Sequence, residues 1–213
     1  MIGAVVPIKM LSASKSRMLP SLDRPAVEWL TIAMLGDVLE ALQQVRGLDR
    51  LAVATPDPRL AEVAPRFGVE LLSDSATGLN PAIEAACARI APTPDDAALV
   101  VLGDVAGVQA ADVEALLDAG TRSAVVLAPS SDGGTSALLR TPRNAISAAF
   151  GNDSANAHRT LATRAGVSFE QLALPSLAID IDAYPDLEEF ATGAYAGRRT
   201  RALLRDLWPE FAT

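Results

Sequence analysis

Residues 97–104 read Ala-Ala-Leu-Val-Val-Leu-Gly-Asp. Six consecutive apolar residues are typical of a buried strand in a parallel sheet, and the Gly103-Asp104 pair marks the end of that strand. Ligands of open parallel sheets bind outside the carboxyl ends of the strands. This stretch therefore predicts both the class of fold and the edge of the sheet at which a site would lie.

Strand-like and helical segments alternate on both sides of this stretch. Further strands are expected at residues 2–6, 51–54, 69–72, 124–128, 135–139, 169–174 and 178–181. Helices are expected at residues 24–44, 60–67, 80–90, 113–117, 153–165, 185–190 and 198–207, the third capped by Asn80 and the fifth by Asn152 or Asp153. The alternation predicts an α/β fold with a mainly parallel sheet, and the close spacing of the later strands predicts a mixed part.

The composition favours one acidic globular domain. The chain has 213 residues, of which 50% are hydrophobic, and a formal net charge of −8. That size predicts a single domain over residues 1–213 with a helical tail at about 198–213. The acidic balance disfavours nucleic acid as a partner. With Cys87 as its one cysteine, no signal peptide and no run of about 20 apolar residues, the chain is expected to be cytoplasmic and not membrane-bound.

The lysines are unusual in number and position. Of the 18 cationic residues 16 are Arg, and the two lysines, Lys9 and Lys15, both lie in the segment Pro7–Arg17 after the first strand. Lys is a compact phosphate binder, whereas Arg presents a planar fork. The two lysines therefore indicate a phosphate site in this loop, with chance retention as the alternative.

Three aspartates follow predicted strands. Asp104 comes directly after the buried strand, and Asp180 and Asp182 alternate with Ile179 and Ile181, which places both carboxylates on the same side of a strand. Mg²⁺ usually takes one or two protein carboxylates and completes its shell with phosphates and water. The three residues are therefore candidate metal ligands, and turn formation or helix capping is the alternative.

Further polar segments are expected at the same edge. Gly78-Leu79-Asn80 would bring backbone and an amide group to a base or sugar, or would only cap a helix. Gly133-Gly134-Thr135 permits a close backbone approach to a ligand, or forms a hairpin turn. Gly151–Ser154, at a helix start, suits a phosphate or carboxylate. His158 lies one turn after Ser154 and either touches that anion or is buried in helix packing.

Neither GxGxxG nor a Walker motif is present, which disfavours a dinucleotide-binding Rossmann site and a P-loop NTPase. The order of the motifs instead resembles the guanylyltransferases that make the precursor of the deazaflavin coenzyme F-420. The motifs that carry the resemblance are Val6-Pro7-Ile8-Lys9, Lys15-Ser16-Arg17, Ala33-Met34-Leu35, Asp37-Val38-Leu39, Gly78-Leu79-Asn80, Gly103-Asp104, Gly134-Thr135, Phe150–Ser154 with His158, Asp180-Ile181-Asp182 and Asp186-Leu187.

The resemblance implies a nucleotidyltransferase fold of the glycosyltransferase-A type, with helices on both faces of the sheet. It implies that GTP is joined to 2-phospholactate, phosphoenolpyruvate or 3-phosphoglycerate. The residue roles that it implies are Mg²⁺ binding by Asp104, Asp180 and Asp182, acceptor binding by Thr135, Gly151 and Ser154, and nucleotide binding by Pro7, Lys9, Lys15, Gly78, Leu79 and Asn80. The chain departs from the family pattern at Ala106, Ser136, Ala155 and Ala183, which leaves the choice of acceptor open.

In the expected reaction, the acceptor's phosphate attacks the α-phosphorus of GTP and expels pyrophosphate. Lys9, Lys15 and Arg17 are the expected catalytic cations, since a chain of net charge −8 otherwise repels two polyanions. The expected partners are therefore GTP and a small phosphorylated carboxylic acid, with a homodimer or a downstream transferase partner left open. The alternatives are a molybdopterin- or sugar-nucleotide nucleotidyltransferase and a catalytically silent nucleotide-binding protein.

Overall fold

The computed structural model describes residues 1–73 and 78–208. Within these residues seven strands form one sheet in the order β3-β2-β1-β4-β6-β5-β7. The strands are β1 (Ile2–Pro7), β2 (Arg50–Thr55), β3 (Glu70–Ser73), β4 (Ala97–Val101), β5 (Val125–Pro129), β6 (Thr135–Arg140) and β7 (Phe169–Gln171). The predicted central strand is β4, and all five of its residues are buried.

One strand runs against the rest of the sheet. β6 is antiparallel to both of its neighbours, β4 and β5, whereas the other neighbouring strands pair in parallel. The expected mainly parallel sheet with a mixed part is confirmed. Because β6 is reversed, its first residue, Thr135, lies at the edge where β4 ends, and Leu102 donates its N–H to the Ser136 carbonyl there.

Helices cover both faces of the sheet, as expected. They are α1 (Arg24–Leu42), α2 (Leu79–Ile90), α3 (Ala110–Ala119), α4 (Ser154–Ala165), α5 (Tyr184–Thr192) and α6 (Arg198–Leu207). Ala4 and Val6 of β1 belong to one core cluster with Leu35 of α1, and Val5 belongs to another with Ile83 of α2. None of the described helices is long and apolar enough to cross a membrane.

Two segments differ from the expected regular structure because of proline. Residues 60–67 form two short 3-10 turns, Pro58–Ala61 and Ala64–Phe67, instead of one helix. Pro65 lacks the N–H that a continuous helix would use at that position. The strand expected at 169–174 ends at Gln171, and Pro175 begins another 3-10 turn just beyond it.

The strand expected at 178–181 is wrong. The backbone hydrogen bonds of this segment are isolated: Ser131 N–H donates to the Ala178 carbonyl, Ala178 N–H to the Pro175 carbonyl and Ile181 N–H to the Asp104 carbonyl. The segment lies between a 3-10 turn and α5 and pairs with none of the seven strands. The alternation that suggested a strand reflects the burial of Ile179 and Ile181.

The helix caps also differ from expectation. Gly78, with φ +109°, occupies the cap position of α2, so Asn80 is not the cap and lies in the first turn. Asp153 does precede α4, but it is left-handed and its side chain accepts no capping bond. The expected C-terminal tail is helical at Arg198–Leu207, and the rest of the expected tail from residue 209 lies outside the described part of the chain.

A buried carboxylate joins α1 to the C-terminal helix. Asp37 of α1 is 6% exposed and accepts hydrogen bonds from the Arg199 N–H, the Thr200 N–H and the Thr200 hydroxyl, each at 2.7–2.8 Å. Burial raises the pKa of Asp37, and these bonds oppose the rise. The contact holds α6 against α1, and two other residues of α1, Thr31 and Met34, line a cavity at the carboxyl edge of β4.

We expect Asp37→Asn to lower the free energy of unfolding by about 2–4 kcal/mol, because buried donors lose an ionised acceptor. The matched control is Glu40→Gln, one turn along α1, whose partly exposed ion pairs with Arg198 and Arg199 should be worth less than about 1 kcal/mol. Denaturant unfolding of the two variants checks this. Equal losses would contradict the assigned role of Asp37.

Candidate active site

A cavity of about 410 Å³ opens at the carboxyl edge of β4. It lies among the end of β1, the loop at residues 8–17, the start of β6 and the segments around residues 150–154 and 180–182. Of the predicted site residues, those that line it are Pro7, Lys9, Lys15, Arg17, Leu79, Asp104, Thr135, Gly151, Ser154, Asp180 and Asp182. Gly78 and Asn80, both described, are not among the lining residues.

Lys15 is the most tightly held cation of this cavity. Its side chain is 6% exposed, and Nζ donates to Asp104 Oδ2 and to Asp182 Oδ1, both at 2.6 Å. Burial alone would lower the pKa of Lys15, but the two carboxylates outweigh it and raise that pKa. The ammonium group is therefore charged and lies between two of the three candidate metal ligands.

The carboxylates of the cavity differ in their electrostatic surroundings. Burial and the charges of Asp104 and Asp132 raise the pKa of Asp180 to about 6. Burial also opposes ionisation of Asp182, but nearby Lys15 lowers the pKa of that group. Asp104 Oδ1 is buried and has no hydrogen-bond partner. This side of the cavity thus holds more negative charge than its ammonium group compensates.

The candidate metal ligands do not form a preformed coordination site. No three His, Cys, Asp or Glu side chains in residues 1–73 and 78–208 are grouped so that they would hold one metal ion. The donor chemistry still suits Mg²⁺, which needs only one or two protein carboxylates when phosphates and water complete the shell. The unpartnered Asp104 Oδ1 and the crowded Asp180 are oxygen ligands of that kind.

Two non-glycine residues with left-handed backbone flank the cavity. They are Lys15, with φ 49°, and Asp153, with φ 52°, and no other described non-glycine residue has a positive φ. Such backbone costs about 1–3 kcal/mol and is typical of sites where the surroundings hold a residue in position. Lys15 is held by its two carboxylates, and Asp153 directly precedes Ser154 of α4.

Lys9 and Arg17 are the more open cations of the cavity. Both residues are exposed and both line the same cavity as Lys15. Their charges also contribute to the lowered pKa of Asp182. The loop at residues 8–17 therefore presents three positive charges to one cavity, one of them buried and two accessible to a large anion.

Asn80 contacts the opposite wall of the cavity. Its Oδ1 accepts the Phe150 N–H at 2.7 Å, and its Nδ2 donates to the Phe150 carbonyl at 3.0 Å. Both polar groups of the amide thereby bind the backbone of one residue, Phe150. Asn80 joins the first turn of α2 to Phe150, next to Gly151, and its predicted contact with the nucleotide stays a prediction.

Three buried side chains form a hydrogen-bonded group beside Gly151. Ser154 Oγ donates to Thr135 Oγ1 at 3.0 Å, and Thr135 Oγ1 lies 3.1 Å from His158 Nδ1. Exposed fractions are 2% for Thr135, 1% for Ser154 and 0% for His158. The two expected acceptor-binding hydroxyls are therefore in direct contact, and the histidine is buried behind them.

His158 is held neutral by its surroundings. Burial lowers its pKa to about 4, and the charge of Arg140 adds to this effect, while a bond with the Ser154 backbone opposes it. Nε2 accepts the Ala149 N–H at 2.9 Å, and the Phe150 ring meets the imidazole edge to face. A neutral ring in this position does not supply a positive charge to the cavity.

One charged residue of the cavity, Asp132, was not proposed from the sequence. Asp132 lines the cavity, and its Oδ1 accepts from the Ser130 hydroxyl and from the Gly134 N–H. The signal was present, since a Ser-Asp-Gly-Gly turn precedes β6. An aspartate in such a turn is ordinarily only a turn former, so the turn motif alone is no reason to assign Asp132 to a site.

The fold is one that a nucleotide-diphospho-sugar transferase also has. The chain superposes on a candidate nucleotide-diphospho-sugar transferase from Desulfovibrio desulfuricans G20 with a TM-score of 0.82, 16% identity and coverage of 99% of this chain and 96% of that one. At that identity the likeness shows the fold alone.

The particular family follows from sequence comparison. The family described as "Guanylyl transferase CofC like" matches residues 2–210. A phosphoenolpyruvate guanylyltransferase of Sphaerobacter thermophilus is 35% identical over 91% of this chain and 94% of its own. A 3-phospho-D-glycerate guanylyltransferase of Colwellia psychrerythraea is 31% identical over 88% and 90%. This chain belongs to the CofC-like guanylyltransferase family.

The lowered pKa of His158 makes stability depend on pH in a predictable direction. The unfolded state binds a proton near pH 6.5, whereas the folded state resists it until about pH 4. The contribution of the neutral ring is thus present above pH 6.5 and is lost as the pH falls toward 4, at about 1.4 kcal/mol per pH unit. Denaturant unfolding should show a steeper loss in the wild type than in His158→Gln, and parallel curves would contradict a buried neutral histidine.

Proposed function

We propose that this protein transfers GMP from GTP to phosphoenolpyruvate, or to a closely related small phospho-acid, and releases pyrophosphate. The product would serve as a precursor of coenzyme F-420, in the cytoplasm, with residues 1–213 acting as one catalytic domain. The observation that carries the proposal is the division of one cavity. Three cations and three candidate metal ligands lie at one side, and a group of buried hydroxyls lies at the other.

The chemistry requires no general base. A phosphate monoester has a second pKa of about 6, so the acceptor is largely a dianion at pH 7. One of its phosphate oxygens attacks the α-phosphorus of GTP, a new phosphoanhydride bond forms, and the bond to pyrophosphate breaks. The neutral, buried His158 is consistent with a site that works by positioning and charge compensation.

The triphosphate is assigned to the cationic side of the cavity. Lys9 and Arg17 are exposed there, and Lys15 lies between Asp104 and Asp182. The three cations would neutralise the phosphates and the leaving pyrophosphate, which a chain of net charge −8 otherwise repels. The nucleoside is assigned to Pro7 and to the Gly78-Leu79-Asn80 segment.

Asp104, Asp180 and Asp182 would hold Mg²⁺. The support is chemical: Asp104 Oδ1 is buried without a partner, and the pKa of Asp180 is raised by neighbouring carboxylates. A bound cation would compensate both, because it supplies charge where the carboxylates repel one another. When bound, Mg²⁺ polarises phosphoryl oxygens and neutralises their developing charge.

The acceptor is assigned to Thr135, Gly151 and Ser154. Thr135 and Ser154 present hydroxyl groups in direct contact, and Gly151 has φ +141° with open space where a Cβ would lie. The Ser154 proton is donated to Thr135, so the hydroxyl donor left for a small anion is that of Thr135, and one hydrogen bond to a charged group contributes about 1.5–3 kcal/mol. Phosphoenolpyruvate is the first acceptor to test because it gives the Sphaerobacter relative its name.

Mass spectrometry of products tests the proposal. The protein is incubated with MgCl₂, either GTP or ATP, and phosphoenolpyruvate, 2-phospholactate or 3-phosphoglycerate, and pyrophosphate is measured in parallel. We expect a guanylylated phospho-acid from GTP and little product from ATP. GTP binding without turnover of any phospho-acid would overturn the proposal in favour of a silent nucleotide-binding protein.

We expect Asp104→Asn to abolish turnover without unfolding the protein, because the change removes a charge from the assigned metal site. The matched control is Asp132→Asn, which alters a carboxylate of the same cavity that already serves a turn. Initial rates across a Mg²⁺ titration, with thermal melts, compare the two. Near-normal activity of Asp104→Asn at saturating Mg²⁺ would contradict the metal assignment.

Lys15→Ala should raise the KM for GTP more than the KM for the acceptor, because the ammonium group is assigned to the triphosphate. The exposed Arg17, replaced by Ala, serves as a comparison from the same loop. Steady-state kinetics with each substrate varied in turn gives both constants. Equal increases for the two substrates would mean that Lys15 only closes the cavity through Asp104 and Asp182.

A further inference from the structure

The one histidine of the chain contacts the acceptor side of the cavity through a single hydroxyl. His158 Nδ1 lies 3.1 Å from Thr135 Oγ1, and Ser154 Oγ donates to the same oxygen at 3.0 Å. We propose that His158 is a positioning residue that orients the Thr135 hydroxyl as a hydrogen-bond donor toward the acceptor's anionic group. The inference rests on the proposed function, in which Thr135 binds the phospho-acid.

The tautomer of His158 follows from its other nitrogen. Nε2 accepts the Ala149 N–H at 2.9 Å, so Nε2 carries a lone pair and not a proton. A neutral imidazole has one N–H, which is therefore on Nδ1. That N–H lies 3.1 Å from Thr135 Oγ1 and donates to it, and it also interacts with the Ser154 backbone. The backbone amide of Ala149 thereby determines the direction of the next hydrogen bond.

The direction of these bonds determines what Thr135 offers the cavity. A hydroxyl oxygen has two lone pairs and one proton. The Nδ1–H of His158 and the hydroxyl of Ser154 take up both lone pairs of Thr135 Oγ1. The proton of Thr135 is left to donate, and Thr135 lines the cavity. Without His158, this hydroxyl would be free to accept or to donate in other directions.

The histidine is itself held rigidly enough to orient another group. The backbone amides of residues 148–150 donate in turn to Glu84 Oε1, His158 Nε2 and Asn80 Oδ1, at 2.6, 2.9 and 2.7 Å. Three side chains thus hold three successive peptides directly before Gly151. The ring also meets Phe150 with its centroid 5.1 Å away, which limits rotation of the imidazole.

Two substitutions separate the two nitrogens of His158. Asn places its amide near the position of Nδ1 and retains a donor for Thr135, but it loses the partner of Ala149. Gln places its amide near the position of Nε2 and retains a partner for Ala149, but it loses the donor for Thr135. Each variant is therefore the control for the other, because both remove the same buried imidazole.

The kinetic test measures the KM of each substrate by pyrophosphate release. We expect His158→Gln to raise the KM for phosphoenolpyruvate by about 3- to 10-fold, the effect of one misdirected hydrogen bond, with the KM for GTP within about 2-fold. His158→Asn should keep both constants within about 2-fold of the wild type. In a Thr135→Val background, His158→Gln should cause no further increase, because the hydroxyl through which it acts is gone.

Several results would overturn the inference while leaving the proposed function intact. One is that His158→Asn and His158→Gln raise the KM for phosphoenolpyruvate equally. Another is that His158→Gln raises the KM values for phosphoenolpyruvate and GTP equally. A third is that the increases in KM caused by His158→Gln and Thr135→Val multiply in the double variant. Nitrogen-15 NMR of the wild type gives a readout that needs no turnover, and its assignment is unambiguous because the chain has one histidine. A proton on Nε2 would overturn the inference, whereas a proton on Nδ1 with no turnover of any phospho-acid would count against the proposed function alone.

Discussion

The ion pairs of Lys15 connect the segments on which the cavity depends. Its ammonium group joins the loop after β1 to Asp104 at the end of β4 and to Asp182 before α5. The Lys15 side chain is 6% exposed, so its charge depends on these two carboxylates for compensation. The two pairs thereby help to keep a non-glycine residue left-handed at φ 49°.

The region that the sequence predicted best is the one with the strongest local signal. The apolar run that ends at Gly103-Asp104 identified β4 and the edge of the sheet where the cavity lies. Thr135 was expected at that edge, but the strand order that brings it there, with β6 between β4 and β5, had no local signal. Strand order and direction arise from long-range pairing, which a pattern of neighbouring residues does not contain.

The segment around residue 180 shows how a wrong intermediate step led to a correct location. Alternation with Ile179 and Ile181 was interpreted as a strand, but the backbone there makes isolated hydrogen bonds. Both isoleucines are buried whether or not a ladder forms, so Asp180 and Asp182 still face the cavity. His158 is the converse case: two interpretations stayed open because its partners, Thr135 and Ala149, come from separate parts of the fold.

The distribution of charge in the cavity fits the proposed transfer between two anions. Positive charge is concentrated at Lys9, Lys15 and Arg17, where the triphosphate and its leaving group are assigned. The other side presents neutral hydroxyls whose directions are set by a neutral imidazole. A second cluster of cations there would attract the triphosphate as well as the acceptor, and the two anions would compete for the same side of the cavity. Neutral donors avoid that competition, because they select a small anion by direction and distance instead of by total charge.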